Sequence, residues 1–514
     1  MALMSTFGFD LFATRNADAV AAIDPRGRAW TRGELAALMN RLANVFVSHD
    51  LAVGDTVAIV APNCAEYLAA VLAGIAAGLY VVPINWHLAE REIDYLIENS
   101  RARAVVTHSR IGAARLAALA ARARRLPLAV SIDAAPDFEP LRSLTAGMSD
   151  APPARPMGRL LPYTSATTGV PKAVKRPLAS ARSSLERFVA WHASLGVTLE
   201  SDNVHLACSM LYHSAPLDGA RVALEMGHAV VLLERWEPEL LLRTIAEQRV
   251  TTAFMVPTMF ARLLQLPDSV RAVFSTASLR FVVHGGAPCA HDVKRRMLDW
   301  WGPVVFEAYG AAEAQGTIVS AAEWLRYPGT VGRPAPGASV KILGADAREL
   351  PTNEIGAVYL KPYTGDSFEY LGDAAKTRAA HVGEYVTVGD RGYVNDEGYL
   401  FLVGRESDLI LSSGMNIYPA EIEQALMAHP AVADCAVVAT PHALCGQVPE
   451  AYVELAEGVA PCAELTRALL ALLADRLSPM KLPRRVVYVR SLPRDPAGKL
   501  ARHRIRTEGV SDAG

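Results

Sequence analysis

From about residue 35 to residue 310, short apolar runs alternate with stretches of helical periodicity, and this alternation restricts the chain to few folds. TVAIVA (from Thr56), YVVPI (Tyr80), AVVTH (Ala104), AVVLLE (Ala229), TTAFMV (Thr251), RFVVHG (Arg280) and VVFEAYG (Val304) read as strands buried on both faces. Between them lie helical segments such as EPELLLRTIAEQ, from Glu237. Such a repeat builds doubly wound parallel sheets, and the number of strands implies two of them in an α/β fold. From about residue 330 to 403 the texture changes to short strands with Gly and Pro turns, which predicts a small β-barrel subdomain. Beyond Arg405 follows a compact α+β segment, with helices expected over 419–429 and 461–477 and strands at VADCAVVAT and AYVELA. The charged turn GRESD (404–408) suits a domain boundary. The expected division is an N-terminal domain over 1–404, a hinge at 405–408 and a C-terminal domain over 409–514.

Composition narrows the function classes. The chain has 514 residues, 51% of them apolar, and a formal net charge of −2, which argues against a dedicated nucleic-acid binder. Its six cysteines are scattered without a CxxC pair, as suits reduced thiols in a cytoplasmic protein. MALMSTFGFD lacks the basic start and apolar core of a secretory leader. The uncharged stretch 67–84 is about as long as a membrane span. It is interrupted by Gly74 and Gly78 and ends near Pro83, so it reads as a buried helix followed by a buried strand.

Four motifs carry chemistry. In LLPYTSATTGVPKAVK a strand enters a loop whose backbone N–H groups and Thr164, Ser165, Thr167 and Thr168 hydroxyls can surround polyphosphate oxygens. Gly169 permits close approach and Lys172 supplies a point charge, although such a loop standing alone is ordinarily plain surface. EAYGAAE closes another strand and places Tyr309, Gly310 and Glu313 at the carboxyl edge of a parallel sheet. A carboxylate there can hold a divalent cation on a phosphate, or simply be solvated. HGGAP ends the preceding strand. Gly285 and Gly286, with Ala287 and Pro288, would let a flat base lie on backbone, or equally form a tight turn. In the third motif, VGDRGYVNDEGYLFLVGRESD, Asp390 can accept from ribose hydroxyls. The fourth, LPRDPAGKL, sets Lys499 on a turn in a locally basic tail.

Together, in this order and spacing, the four motifs resemble those of the ANL superfamily of adenylating enzymes, and the resemblance covers nearly the whole chain. It implies an ATP-dependent acid–thiol ligase: a carboxylic acid is joined to AMP with loss of pyrophosphate, and the acyl group then passes to coenzyme A. On that resemblance Thr164, Ser165, Thr168, Gly169 and Lys172 form the phosphate loop. Glu313 with Thr164 holds Mg²⁺, Tyr309 belongs to the nucleotide site, and Asp390 with Arg405 holds the ribose. Lys499 serves adenylation, Gly414 shapes the pantetheine tunnel, and the small domain is mobile about Ser407. Assembly as a homodimer is left open. Ala166, Ala173 and Ser413 stand where relatives carry glycine, and an added methyl is harmless only where φ is negative.

The acid is less well specified. LYHSAPLDG (211–219) sits where the family builds its acyl pocket, with His213 at the mouth, and the small residues Ala312, Ala314 and Gly316 form the other wall. These two segments are expected at the ends of adjacent strands. A charge-free lining is expected to disfavour amino acids; a fatty acid is the first expectation, with an aryl or cyclic acid close behind. A carrier protein's phosphopantetheine is the alternative acceptor. A non-catalytic nucleotide-binding protein would lack the lysines or Glu313.

Overall fold

All seven apolar runs form strands, because each lacks the polar face that a surface element needs. The computed structural model of the protein describes residues 7–164, 171–200, 202–412, 415–442, 444–494, 500–502 and 504–505. Six parallel strands make the first sheet, in the order 139–140, 128–131, 102–107, 56–60, 80–83 and 159–160. The stretch 67–84 divides as anticipated into helix Ala65–Ala76 and strand Tyr80–Pro83. Gly74 lets the two touch, since a Cβ there would lie 2.6 Å from Val81. Among the described residues no helix is long and apolar enough to cross a membrane.

The second sheet holds 14 strands. Its parallel part runs Val20–Ile23, Ala229–Leu232, Val204–Ala207, Thr252–Met255, Phe281–His284 and Val305–Gly310. Chain order reverses at Val204–Ala207: the next strand lies on one side of it and the one after that on the other. Ligands bind outside the carboxyl ends of strands at such a switch. The two segments expected to frame the acyl pocket leave Val204–Ala207 and Val305–Gly310, which are not adjacent. Thr252–Met255 and Phe281–His284 lie between them.

The small β subdomain expected over about 330–403 is joined to the large sheet. Gln315–Val319 pairs antiparallel with Val305–Gly310, and Thr330–Pro334, Leu400–Arg405, Tyr385–Val394, Gly356–Lys361 and Ser339–Leu343 follow edge to edge. The β subdomain is thus a continuation of the large sheet, and the strand path shows no closure among the described residues. Continuity has a functional result: it carries Asp390 and Arg405 toward the ligand edge.

Past the 3₁₀ turn Glu406–Asp408, a sheet built on the hairpin Val432–His442/Gly446–Leu455 packs under helices Pro419–Met427 and Ala463–Arg476. Its core, which includes Ile410, Ile422, Leu426, Val437, Val453 and Leu473, contains no residue from before 405.

Candidate active site

The carboxyl edge of the large sheet brings three motifs into contact. Tyr309, in the strand Val305–Gly310, donates its hydroxyl to Asp390 Oδ2 at 2.7 Å. Arg405 Nε lies 3.2 Å from the other oxygen, Oδ1, because Asp390 and Arg405 stand opposite one another in antiparallel register. Burial, and then the Asp390 charge, push the Tyr309 hydroxyl well above its ordinary pKa, so it remains a donor. Tyr309 and Arg405 line the cavity described below, and the 8% exposed Asp390 sits behind them.

A second cluster forms at the phosphate motif. Strand Lys172–Lys175 pairs on one side with Tyr163–Thr164 and on the other with Glu369–Tyr370. This small sheet delivers Tyr370, whose hydroxyl donates to Glu313 Oε1 at 2.8 Å. Lys172 Nζ lies 5.2 Å from the centre of the Tyr370 ring and 3.4 Å from Asp373 Oδ2. Desolvation, with Lys376 nearby, lowers the Lys172 pKa. Arg176, partly buried, donates to the carbonyls of Ala312 (2.7 Å) and Glu313 (2.6 Å) and so fixes the turn that carries Glu313. Its burial, and then Arg159, push its pKa down to about 10. Ala173 is fully buried in the strand and does not have positive φ, so its methyl is tolerated.

Several expected site residues are not described: Ser165, Thr167, Thr168 and Gly169 of the loop, with Ala166, and Ser413, Gly414 and Lys499 all lie outside the described residues. Arg494 and Arg502, in the described residues on either side of Lys499, are both ion-paired. Arg494 makes a two-pronged pair with Asp434 (2.6 and 2.7 Å). Arg502 pairs with Glu423 (2.7 and 2.8 Å) and approaches Asp408 at 3.3 Å. Ser407 occupies the exposed 3₁₀ turn beside Asp408.

The glycines of HGGAP serve the backbone itself. A Cβ on Gly285 would stand 2.6 Å from the Ala308 carbonyl of the neighbouring strand, and Gly286 has φ of +82°. Both line the cavity; Ala287 and Pro288 do not. Behind them, buried Lys294 meets Glu307 Oε2 at 2.5 Å and holds helix His291–Trp301 against the strand that ends in Tyr309.

One cavity of about 850 Å³ connects these groups. Thr164, Lys172, Tyr309, Gly310, Glu313 and Arg405 line one part of it. His213, at the start of helix Ser214–Glu225, lines another with Ala312 and Gly316. Ala314 does not line it: its side chain is fully buried among Val174, Val331 and Leu360 in the β subdomain. Residues two apart share a face only in an extended segment; here the chain bends at Ala312 and Glu313, so Ala312 and Ala314 do not share a surface. The lining is not charge-free either, since Arg176, Asp218 and Arg221 belong to it. Sequence reasoning missed these three and Tyr370. A signal existed for Asp218 and Arg221, which fall on the helix face that begins at Ser214, but Tyr370 has no motif around it.

Comparison with known proteins identifies the family. The sequence profile described as AMP-binding enzyme matches residues 9–364, and that of the AMP-binding enzyme C-terminal domain matches 421–499. A feruloyl-CoA synthase from Amycolatopsis sp is 32% identical, over 94% of this chain and 95% of its own. A fatty acid–[acyl-carrier-protein] ligase, ScoC, from Streptomyces coeruleorubidus is 29% identical, over 98% and 96%. The crystal structure of ATP-bound MatB from Rhodopseudomonas palustris superposes with a TM-score of 0.83 at 28% identity, covering 98% of this chain and 99% of that one. The chain belongs to the AMP-binding enzyme family.

Proposed function

We propose that the protein is an AMP-forming acid–CoA ligase. The observation that carries this reading is the convergence on one cavity of the Tyr309–Asp390–Arg405 network with Glu313, Tyr370 and Lys172. Three anionic reactants must meet during adenylation, so positioning and fixed positive charge dominate the catalysis. The acid's carboxylate attacks the α-phosphorus of ATP and pyrophosphate leaves. Lys172 faces the polyphosphate, Arg405 and Tyr309 hold the nucleoside side through Asp390, and Lys499 offsets charge at the reacting oxygens. The small domain then turns about Ser407, which withdraws Lys499 and brings Gly414 toward the acyl-adenylate. The thiolate of coenzyme A attacks the carbonyl carbon, and AMP departs.

Mg²⁺ fits the corner at Glu313. Tyr370 takes one carboxylate oxygen, the other has no hydrogen-bond partner among the described residues, and Thr164 lines the same cavity. Bound there, Mg²⁺ would neutralise polyphosphate charge.

Likeness to ScoC supports a carrier-protein thiol as the alternative acceptor. Incubation with Mg-ATP, a panel of acids and either CoA or a phosphopantetheinylated carrier protein separates the two. Acid-dependent AMP release with thioester on CoA supports the main reading; thioester on the carrier alone overturns the choice of acceptor.

A further inference from the structure

The acyl part of the cavity has two kinds of wall. Phe188, Val197, Val222 and Phe281 offer hydrocarbon, enough to bury the body of an alkyl or aryl acid. Helix Ser214–Glu225 offers something else. Asp218 and Arg221 lie about one turn apart on it and both reach the cavity. Their pairing is lopsided: Arg221 Nη2 (2.9 Å) and Nε (3.3 Å) both bond to Asp218 Oδ1. Oδ2 has no hydrogen-bond partner among the described residues. The arginine is tucked away at 14% exposure while the carboxylate is 28% exposed.

The facing wall does not complete Asp218. The hydroxyl of Tyr363 donates to Gln315 Oε1 at 2.6 Å. Tyr363 is nonetheless pushed well above its ordinary pKa, first by burial and then by Asp218, whose charge also reaches Arg176 and His192. Asp218 and these three groups all line the same cavity.

We propose that the acid taken by this site carries, besides its reacting carboxylate, a neutral hydrogen-bond-donating substituent, a hydroxyl or an aryl amine, which docks on Asp218 Oδ2. The inference rests on the reading of the site as an acid-activating one. Arg221 is already paired with Asp218, so a further full positive charge gains little there and a neutral donor suits. An unsubstituted hydrocarbon would strip water from Oδ2 and give nothing back, and a buried polar group left unpaired is the stronger source of discrimination.

The test is acid-dependent ATP–pyrophosphate exchange with matched pairs: benzoic against hydroxy- and aminobenzoic acids, cinnamic against 4-hydroxycinnamic acid, octanoic against 8-hydroxyoctanoic acid, with terephthalic and suberic acids as dicarboxylates. In the natural protein at least one donor-bearing acid should exceed its parent in kcat/KM by roughly ten- to a hundredfold. Asp218→Asn should bring that ratio to within about threefold of one, chiefly through KM of the donor-bearing acid. A thermal shift with Mg-ATP alone shows that the variant is folded. Parents preferred throughout, or a ratio that survives Asp218→Asn, would overturn the inference and leave the ligase reading intact. Preference for a dicarboxylate would overturn it too and assign recognition to Arg176. Exchange with none of the acids would remove the ligase reading together with the inference.

Discussion

The Tyr309 hydroxyl lies 2.7 Å from Asp390 Oδ2, joining the end of a parallel strand to a strand of the β subdomain 81 residues away. Arg405 takes the other oxygen, so both sides of the carboxylate are organised before any nucleotide arrives. Tyr309→Phe removes a donor from a buried charge and should cost about 1.5–3 kcal/mol. The expected outcome is a fall of roughly ten- to a hundredfold in kcat/KM for ATP, seen mainly in KM, with the thermal midpoint little changed.

Asp373 lies 3.4 Å from Lys172 and, on the proposed reading of Lys172, would compete with polyphosphate for its charge. The same carboxylate caps helix Ala374–Ala380 by accepting from the Lys376 N–H, a bond that an amide oxygen keeps. Asp373→Asn should therefore leave the helix in place and lower KM for ATP by about two- to fivefold, a partly exposed pair being worth little. A rise in KM would show that the aspartate helps to bind the nucleotide.

Much of the site was legible because its residues stand at strand ends, where an apolar run stops and a glycine or charge begins. Tyr309, Glu313 and Lys172 are of this kind, whereas Asp390 lies within the strand Tyr385–Val394. Ala314 was misread because side-chain direction depends on the turn after Gly310, where the chain reverses into an antiparallel strand. Tyr370 was invisible because it arrives through pairing of a two-residue strand with Lys172–Lys175, a tertiary event without local signal.

Lys499 and Gly414 should divide the two half-reactions. Lys499→Ala is expected to abolish acyl-AMP formation while leaving thioester formation from supplied acyl-AMP largely intact. Gly414→Leu should do the reverse by filling the pantetheine path. Pyrophosphate release followed beside thioester formation reads both, and equal loss of the two steps in either variant would show that the residue is misassigned.

Burial pushes the His205 imidazole down to about 3, with His228 and His192 adding to the shift. The unfolded chain binds that proton near pH 6.5 and the folded one does not. Stability is therefore complete above about 6.5 and declines as pH falls toward the folded value. Between pH 7 and pH 5 this one residue should account for a loss of about 2 kcal/mol. In His205→Asn the thermal midpoint should consequently fall less over that interval than in the natural protein, by about a degree or two. Equal falls would show that His205 is protonated in the folded state.

Adenylation itself leaves an isotopic record. When an acid labelled with ¹⁸O in its carboxylate attacks the α-phosphorus of ATP and a thiol later displaces AMP, one carboxylate oxygen stays on the phosphorus. Mass spectrometry of the nucleotide released during turnover with Mg-ATP and CoA should find AMP carrying one ¹⁸O atom, in step with thioester formed. Unlabelled AMP, or ADP as the nucleotide product, would contradict the account.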